Sequence, residues 1–164
     1  MRLYHGIRPK NTTALFVLDF TLAWVMFLLL AYAIHEYGHL ISLELLGGKG
    51  AIMTWNITKS LINPSVEHGS LMVALMGGWA VMAVYMILFF IVEDLPEKLA
   101  LAVMAIEQGV YGIGEALFHA GLQVSMFQVA FLGYMLGIVP IVFVFLRMFG
   151  HKRRLVKKIE YSYE

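Results

Sequence analysis

The chain contains no cysteine, which excludes disulfides and thiolate metal sites together. Any metal it holds must therefore sit on His, Asp or Glu. Charge is scarce as well: 14% of the 164 residues are Asp, Glu, Lys or Arg, where soluble domains carry roughly 25%. With 60% of the residues hydrophobic, that shortage excludes an ordinary soluble domain and indicates a single integral membrane domain in contact with lipid. The net charge of +1 carries little information, and no nucleic-acid partner is expected. No cleavable signal peptide is expected either, because the first apolar run is too long. There are four prolines; Pro140 lies within the last apolar run, where it should kink a helix.

Four apolar segments emerge, at about 13–46, 70–92, 98–120 and 123–149. Each is near the roughly 20 residues that a spanning helix needs. The expected architecture is an all-α membrane protein of about four transmembrane helices with a short β-like hairpin between the first two. The glycines from Gly47 to Gly50 should stop the first helix. Ala51 to Thr58 mixes β-branched and aromatic residues as a strand or hairpin does, and Asn63-Pro64 marks a turn. Glu93 to Lys98 reads as a tight acidic connection between the second and third spans. The tail at 150–164 is strongly basic, and Arg2, Arg8 and Lys10 precede the first span. The positive-inside rule then favours a multi-pass protein with its C-terminal tail in the cytosol.

One stretch carries chemistry. His35-Glu36-Tyr37-Gly38-His39 is an H-E-x-x-H pattern inside the first apolar run. Residues four apart share one face of a helix, so both imidazoles can ligate a single ion. Glu36 can then serve as general base toward the water that the ion activates. Ionisable groups are costly within a membrane span and mark function there by default.

A catalytic metal usually takes three protein ligands and leaves one position open. The further candidates are Glu107, Gln108, Glu115 and His119 on the third span. Glu115 is the first choice for third ligand. His119, one turn on, can be a fourth ligand, a group that hydrogen-bonds substrate, or a residue at the membrane edge. Glu107 is read as a substrate-facing or network residue. Asp19 and Glu44 are expected near the ends of the apolar zone, solvated, and His68 at the surface.

These features resemble the site-2 protease family of intramembrane zinc metalloproteases over about Ala23 to His119. His35-Glu36-Tyr37-Gly38-His39-Leu40 is similar to the family's H-E-x-G-H followed by apolar residues. The segment from Gly47 to Glu67 stands where the family has a membrane-associated hairpin or sheet. Ala74-Leu75-Met76-Gly77-Gly78-Trp79-Ala80 is similar to its small-residue helix. In the third span, Glu107 falls where the family has an asparagine and Glu115 where it has its third ligand, an aspartate. The chain departs from the family in having Gly78 for a proline and Val81 for an asparagine. The family's metal usually lies toward the cytosolic side, whereas the charge distribution places the motif toward the outer one.

The resemblance implies a metalloendopeptidase that hydrolyses a peptide bond in or near a transmembrane segment of a membrane-protein substrate. One zinc per chain would be held by His35, His39 and Glu115, with Glu36 catalytic. His119, Glu107, Gly77 and Gly78 would support the site or the substrate, the two glycines by loosening the second span. Two other readings stay open. One is a non-proteolytic metal-binding membrane protein, with His119 closing a four-ligand shell. The other is an accessory subunit of a larger membrane complex. The ligand set suits zinc and also iron.

Overall fold

The computed structural model describes residues 12–50, 52–54, 61–62 and 70–160. Arg2, Arg8, Lys10, the Asn63-Pro64 turn and His68 lie outside them. Four helices make up nearly all of the described chain: α1 (Thr12–Leu45), α2 (Leu71–Ile91), α3 (Leu95–His119) and α4 (Met126–Glu160). Each contains a stretch long and apolar enough to cross a membrane: Thr13–Leu45, Leu71–Ile91, Leu95–His119 and Met126–Val144. At 1.5 Å per residue α1 is about 50 Å long, well beyond the roughly 30 Å of a hydrocarbon core.

Between α1 and α2, Ile52–Thr54 pairs antiparallel with Leu61–Ile62, Ile52 opposite Ile62. Of the segment from Ala51 to Thr58 expected to be β-like, residues 51 and 55–58 lie outside the described residues.

The helix ends follow local chemistry. At the end of α1, Gly47 adopts a φ of 81°. The Gly47 amide donates to the Glu44 carbonyl and the Gly48 amide to the Leu43 carbonyl, each at 2.9 Å. That is the paired closure of a Schellman motif. The same closure ends α3, where Gly121 has a φ of 86° and Leu122 reaches back to Leu117 at 3.1 Å.

Two boundaries differ from expectation. α3 starts at Leu95 rather than near Lys98, because Pro96 occupies its first turn, where a missing N–H costs nothing. The acidic connection is thus largely the first turn of the helix itself. α4 begins at Met126, three residues later than expected, where the Ser125 hydroxyl accepts from the Gln128 amide at 3.5 Å, as an N-cap residue does. It then continues to Glu160, so most of the basic tail is a helical extension; Lys, Arg and Leu are good helix formers. Asp19 and Glu44 are exposed on the described bundle.

α3 is the central helix and packs against each of the other three. Its Ala100, Leu101, Met104 and Ala105 meet Ala23, Phe27 and Ala31 of α1 and Val81 and Tyr85 of α2 in one core. The Tyr85 hydroxyl donates to the Phe27 carbonyl, tying α2 to α1 inside that core. Glycines set the helix spacing near the motif. A Cβ on Gly38 would lie 2.7 Å from the Ala80 Cβ, and one on Gly112 would lie 2.7 Å from the Leu75 carbonyl oxygen. α1, α2 and α3 therefore approach backbone to backbone at the level of His35 and His39, as small residues permit in membrane bundles. Direct ring contact between α1 and α4 comes from Trp24 and Tyr134, edge to face at 6.1 Å between centroids.

Candidate metal centre

The helical repeat brings His35 and His39 onto one face of α1, and that face is turned toward α2 and α3. Their Nε2 atoms are 3.0 Å apart. The Glu115 carboxylate approaches from α3, with Oε1 3.3 Å from His35 Nε2. Its Oε2 is 3.3 Å from His35 Nε2 and 3.6 Å from His39 Nε2. One ligand atom from each of His35, His39 and Glu115 lies within 4.8 Å of the others, so the three can hold a metal ion.

The hydrogen bonds behind the imidazoles decide what they present. His39 Nδ1 is 2.7 Å from the Val73 carbonyl oxygen, which can only accept, so in the neutral ring Nδ1 carries the hydrogen and Nε2 the lone pair. His35 Nδ1 lies 3.2 Å from Gln108 Oε1, again an acceptor, with the same consequence. Two imidazole lone pairs and a carboxylate thus point at a common centre. Glu115 Oε2 is buried with no hydrogen-bond partner among the described residues. Like electron pairs in such proximity repel, and a cation is what reconciles them. Two nitrogens at 2.0–2.1 Å from one tetrahedral ion stand about 3.3 Å apart, close to the His35–His39 separation. The donor set fits a divalent metal.

Gly77 forms the wall opposite. A Cβ placed there would overlap the His39 imidazole and lie 2.7 Å from His35 Nε2. Gly77 and Gly78, expected to loosen α2 for substrate, both make close packing contacts here. Both are buried within an unbroken helix, Gly77 against the imidazoles and Gly78 against the backbone of α3 at Gln108 and Gly112.

On the α3–α4 side the centre adjoins a cavity of about 350 Å³. His35, Glu36, Glu107, Gln108, Tyr111 and Glu115 line its polar part. Glu36 is buried at 7% exposure and lies in this wall. Glu107 is buried, and its Oε2 accepts from Gln108 Nε2 at 2.7 Å. His119, by contrast, is exposed at the end of α3, against the Phe118 ring, and is not one of the three grouped residues.

Sequence reasoning missed Tyr111, whose ring packs edge-on to His35 at 5.7 Å between centroids. It lies four residues from both Glu107 and Glu115, so the helical repeat that joins those two also contains it. The Val73 carbonyl was out of reach, since a backbone acceptor leaves no trace in residue type. Comparison with family profiles, with curated proteins and with solved structures finds no match for this chain.

Proposed function

We propose that the chain is an intramembrane zinc metallopeptidase, similar in its motif to the site-2 proteases, acting on a peptide bond in or near a transmembrane segment. The observation that carries this reading is the convergence of His35, His39 and Glu115 beside Glu36 at the edge of a cavity. Zinc bound there would polarise a water and the scissile carbonyl. Glu36 takes the proton from the attacking water and delivers it to the leaving nitrogen, as general base and then general acid. Tyr111, in the cavity wall beside His35, donates its hydroxyl to the developing oxyanion. That role replaces the one considered for His119, which is exposed, and for Glu107, whose carboxylate accepts from Gln108.

The cavity also bears on substrate form. An α-helix holds its carbonyls in intrahelical hydrogen bonds, so a substrate helix must unwind locally to present a scissile carbonyl in the roughly 350 Å³ cavity. We read the paired segments Ile52–Thr54 and Leu61–Ile62 as part of a hairpin whose free edge takes up the unwound strand.

A closed, non-proteolytic metal shell would need a fourth ligand, and His119 is not among the grouped residues. The test is cleavage of quenched fluorescent transmembrane peptides by purified protein in lipid vesicles. The expected outcome is turnover that a chelator abolishes and added zinc restores; chelator-resistant turnover, or none against any peptide, would refute the reading. Tyr111→Phe should retain zinc and lower turnover about 100-fold, the usual loss for one oxyanion donor. Unchanged turnover would remove Tyr111 from the mechanism.

A further inference from the structure

Glu107 is not in the ligand set, yet it is 3% exposed in the middle of an apolar bundle. A carboxylate is retained in such a place only where it is hydrogen-bonded and useful. Its Oε2 accepts from Gln108 Nε2 at 2.7 Å. Gln108 Oε1 then faces His35 Nδ1 at 3.2 Å, and His35 Nε2 faces Glu115 and His39. The order of donors and acceptors along this chain is not arbitrary. Glu107 Oε2 takes the hydrogen of the Gln108 amide nitrogen, and that contact turns the amide oxygen toward His35. An amide oxygen can only accept, so it selects the His35 tautomer with hydrogen on Nδ1. The lone pair is left on Nε2, at the metal centre.

The chain of contacts has a further end. Gly133 of α4 lies against the stem of Glu107: a Cβ there would sit 2.9 Å from the Glu107 Cα, 3.0 Å from its carbonyl oxygen and 3.2 Å from its Cγ. Gly137, one turn on, lies against Val103 in the same way, with a Cβ 3.1 Å from the Val103 Cα. Two glycines four apart let the α4 backbone rest directly on α3 at this level. The position of Glu107 is thus set by α4, a helix that supplies none of the three ligands.

We propose that Glu107 and Gln108 are positioning residues that fix the tautomer and orientation of His35, and that α4, through Gly133, holds this relay in register. The proposal rests on the metal reading for its purpose but not for its test. Partners behind ligating histidines typically change metal affinity by 10–100-fold when removed.

The experiment has two readouts on the full chain in detergent micelles. Imidazole nitrogen NMR of the metal-free protein, with His35 assigned through His35→Gln, reads the tautomer directly. Competition against a chelator gives the zinc dissociation constant. Wild type should show His35 with hydrogen on Nδ1. Glu107→Leu and Gln108→Leu should mix the tautomers and weaken zinc about 10–100-fold. Glu107→Gln, which still offers an oxygen to Gln108, should recover most of that loss. Gly133→Ala, which removes no polar group of the relay, should shift both readouts in the same direction and keeps the test open if a leucine variant fails to fold. Weakened zinc with an unchanged tautomer would overturn the relay, as would a mixed tautomer in the wild type. The expected tautomers in a wild type that binds no zinc would uphold the relay and refute the metal reading.

Discussion

Glu36→Gln is expected to keep its zinc and lose its hydrolysis. The amide has the shape of the carboxylate but cannot take a proton from water, and a positioned general acid–base contributes typically 10²–10⁴-fold to rate. Because Glu36 serves both the attack and the departure of the nitrogen, the loss should fall toward the upper end, about 10³-fold or more. Metal content should not change, since Glu36 is outside the converging set of His35, His39 and Glu115. Turnover of a transmembrane reporter peptide, measured beside zinc stoichiometry on the same preparation, checks both halves. Retained turnover would dismiss Glu36 as the base and with it the proposed mechanism. Loss of zinc together with turnover would instead make Glu36 part of the metal shell.

Gly77→Ala should have the opposite profile, a folded protein with a ruined metal centre. The added methyl would overlap the His39 ring and crowd His35 Nε2. The atoms it meets are the tips of side chains, so the strain is relieved by swinging the imidazoles rather than by parting the helices. Alanine also favours the helix over glycine by about 1 kcal/mol, so helicity and thermal stability should hold or rise. The imidazoles, however, are tied from behind by Val73 and Gln108, and displacing them breaks those bonds as well as the ligand geometry. Zinc affinity should fall by at least about 100-fold, the upper end of what loss of ligand support alone produces. Titration with zinc against a chelator, alongside a melting curve, measures the two effects separately. Wild-type affinity in a folded Gly77→Ala protein would show that the ion does not sit where the imidazoles converge.

The parts of this arrangement that depend on periodicity were legible from residue order. Apolar runs of spanning length mark all four helices, the glycines from Gly47 mark the end of α1, and four-residue spacing pairs His35 with His39. Glu115 came from the same spacing together with the family resemblance. The ambiguity between Glu115 and His119 was real at that level, because the two share a face of α3. In the structure four residues carry His119 about 6 Å further along the axis, to the exposed end of the helix, while Glu115 is grouped with the two histidines. Glu107 and Gln108 illustrate another limit. Adjacent residues point in different directions, and which one meets α1 and which meets α4 follows only from how α3 is rotated between its neighbours. The small pair Gly77-Gly78 was visible, but not the contacts it makes with the imidazoles and α3. Glycine in a span reads equally as looseness or as close packing, and only the partner in contact tells them apart.

The central claim is a metal ion held by His35, His39 and Glu115 and not by His119. Elemental analysis of purified wild-type, Glu115→Ala and His119→Ala proteins tests it most directly. Wild type should carry about one zinc per chain, as a site with three protein ligands implies, with the zinc lost in Glu115→Ala and kept in His119→Ala. Zinc retained without Glu115, or no metal in the wild type, would contradict it.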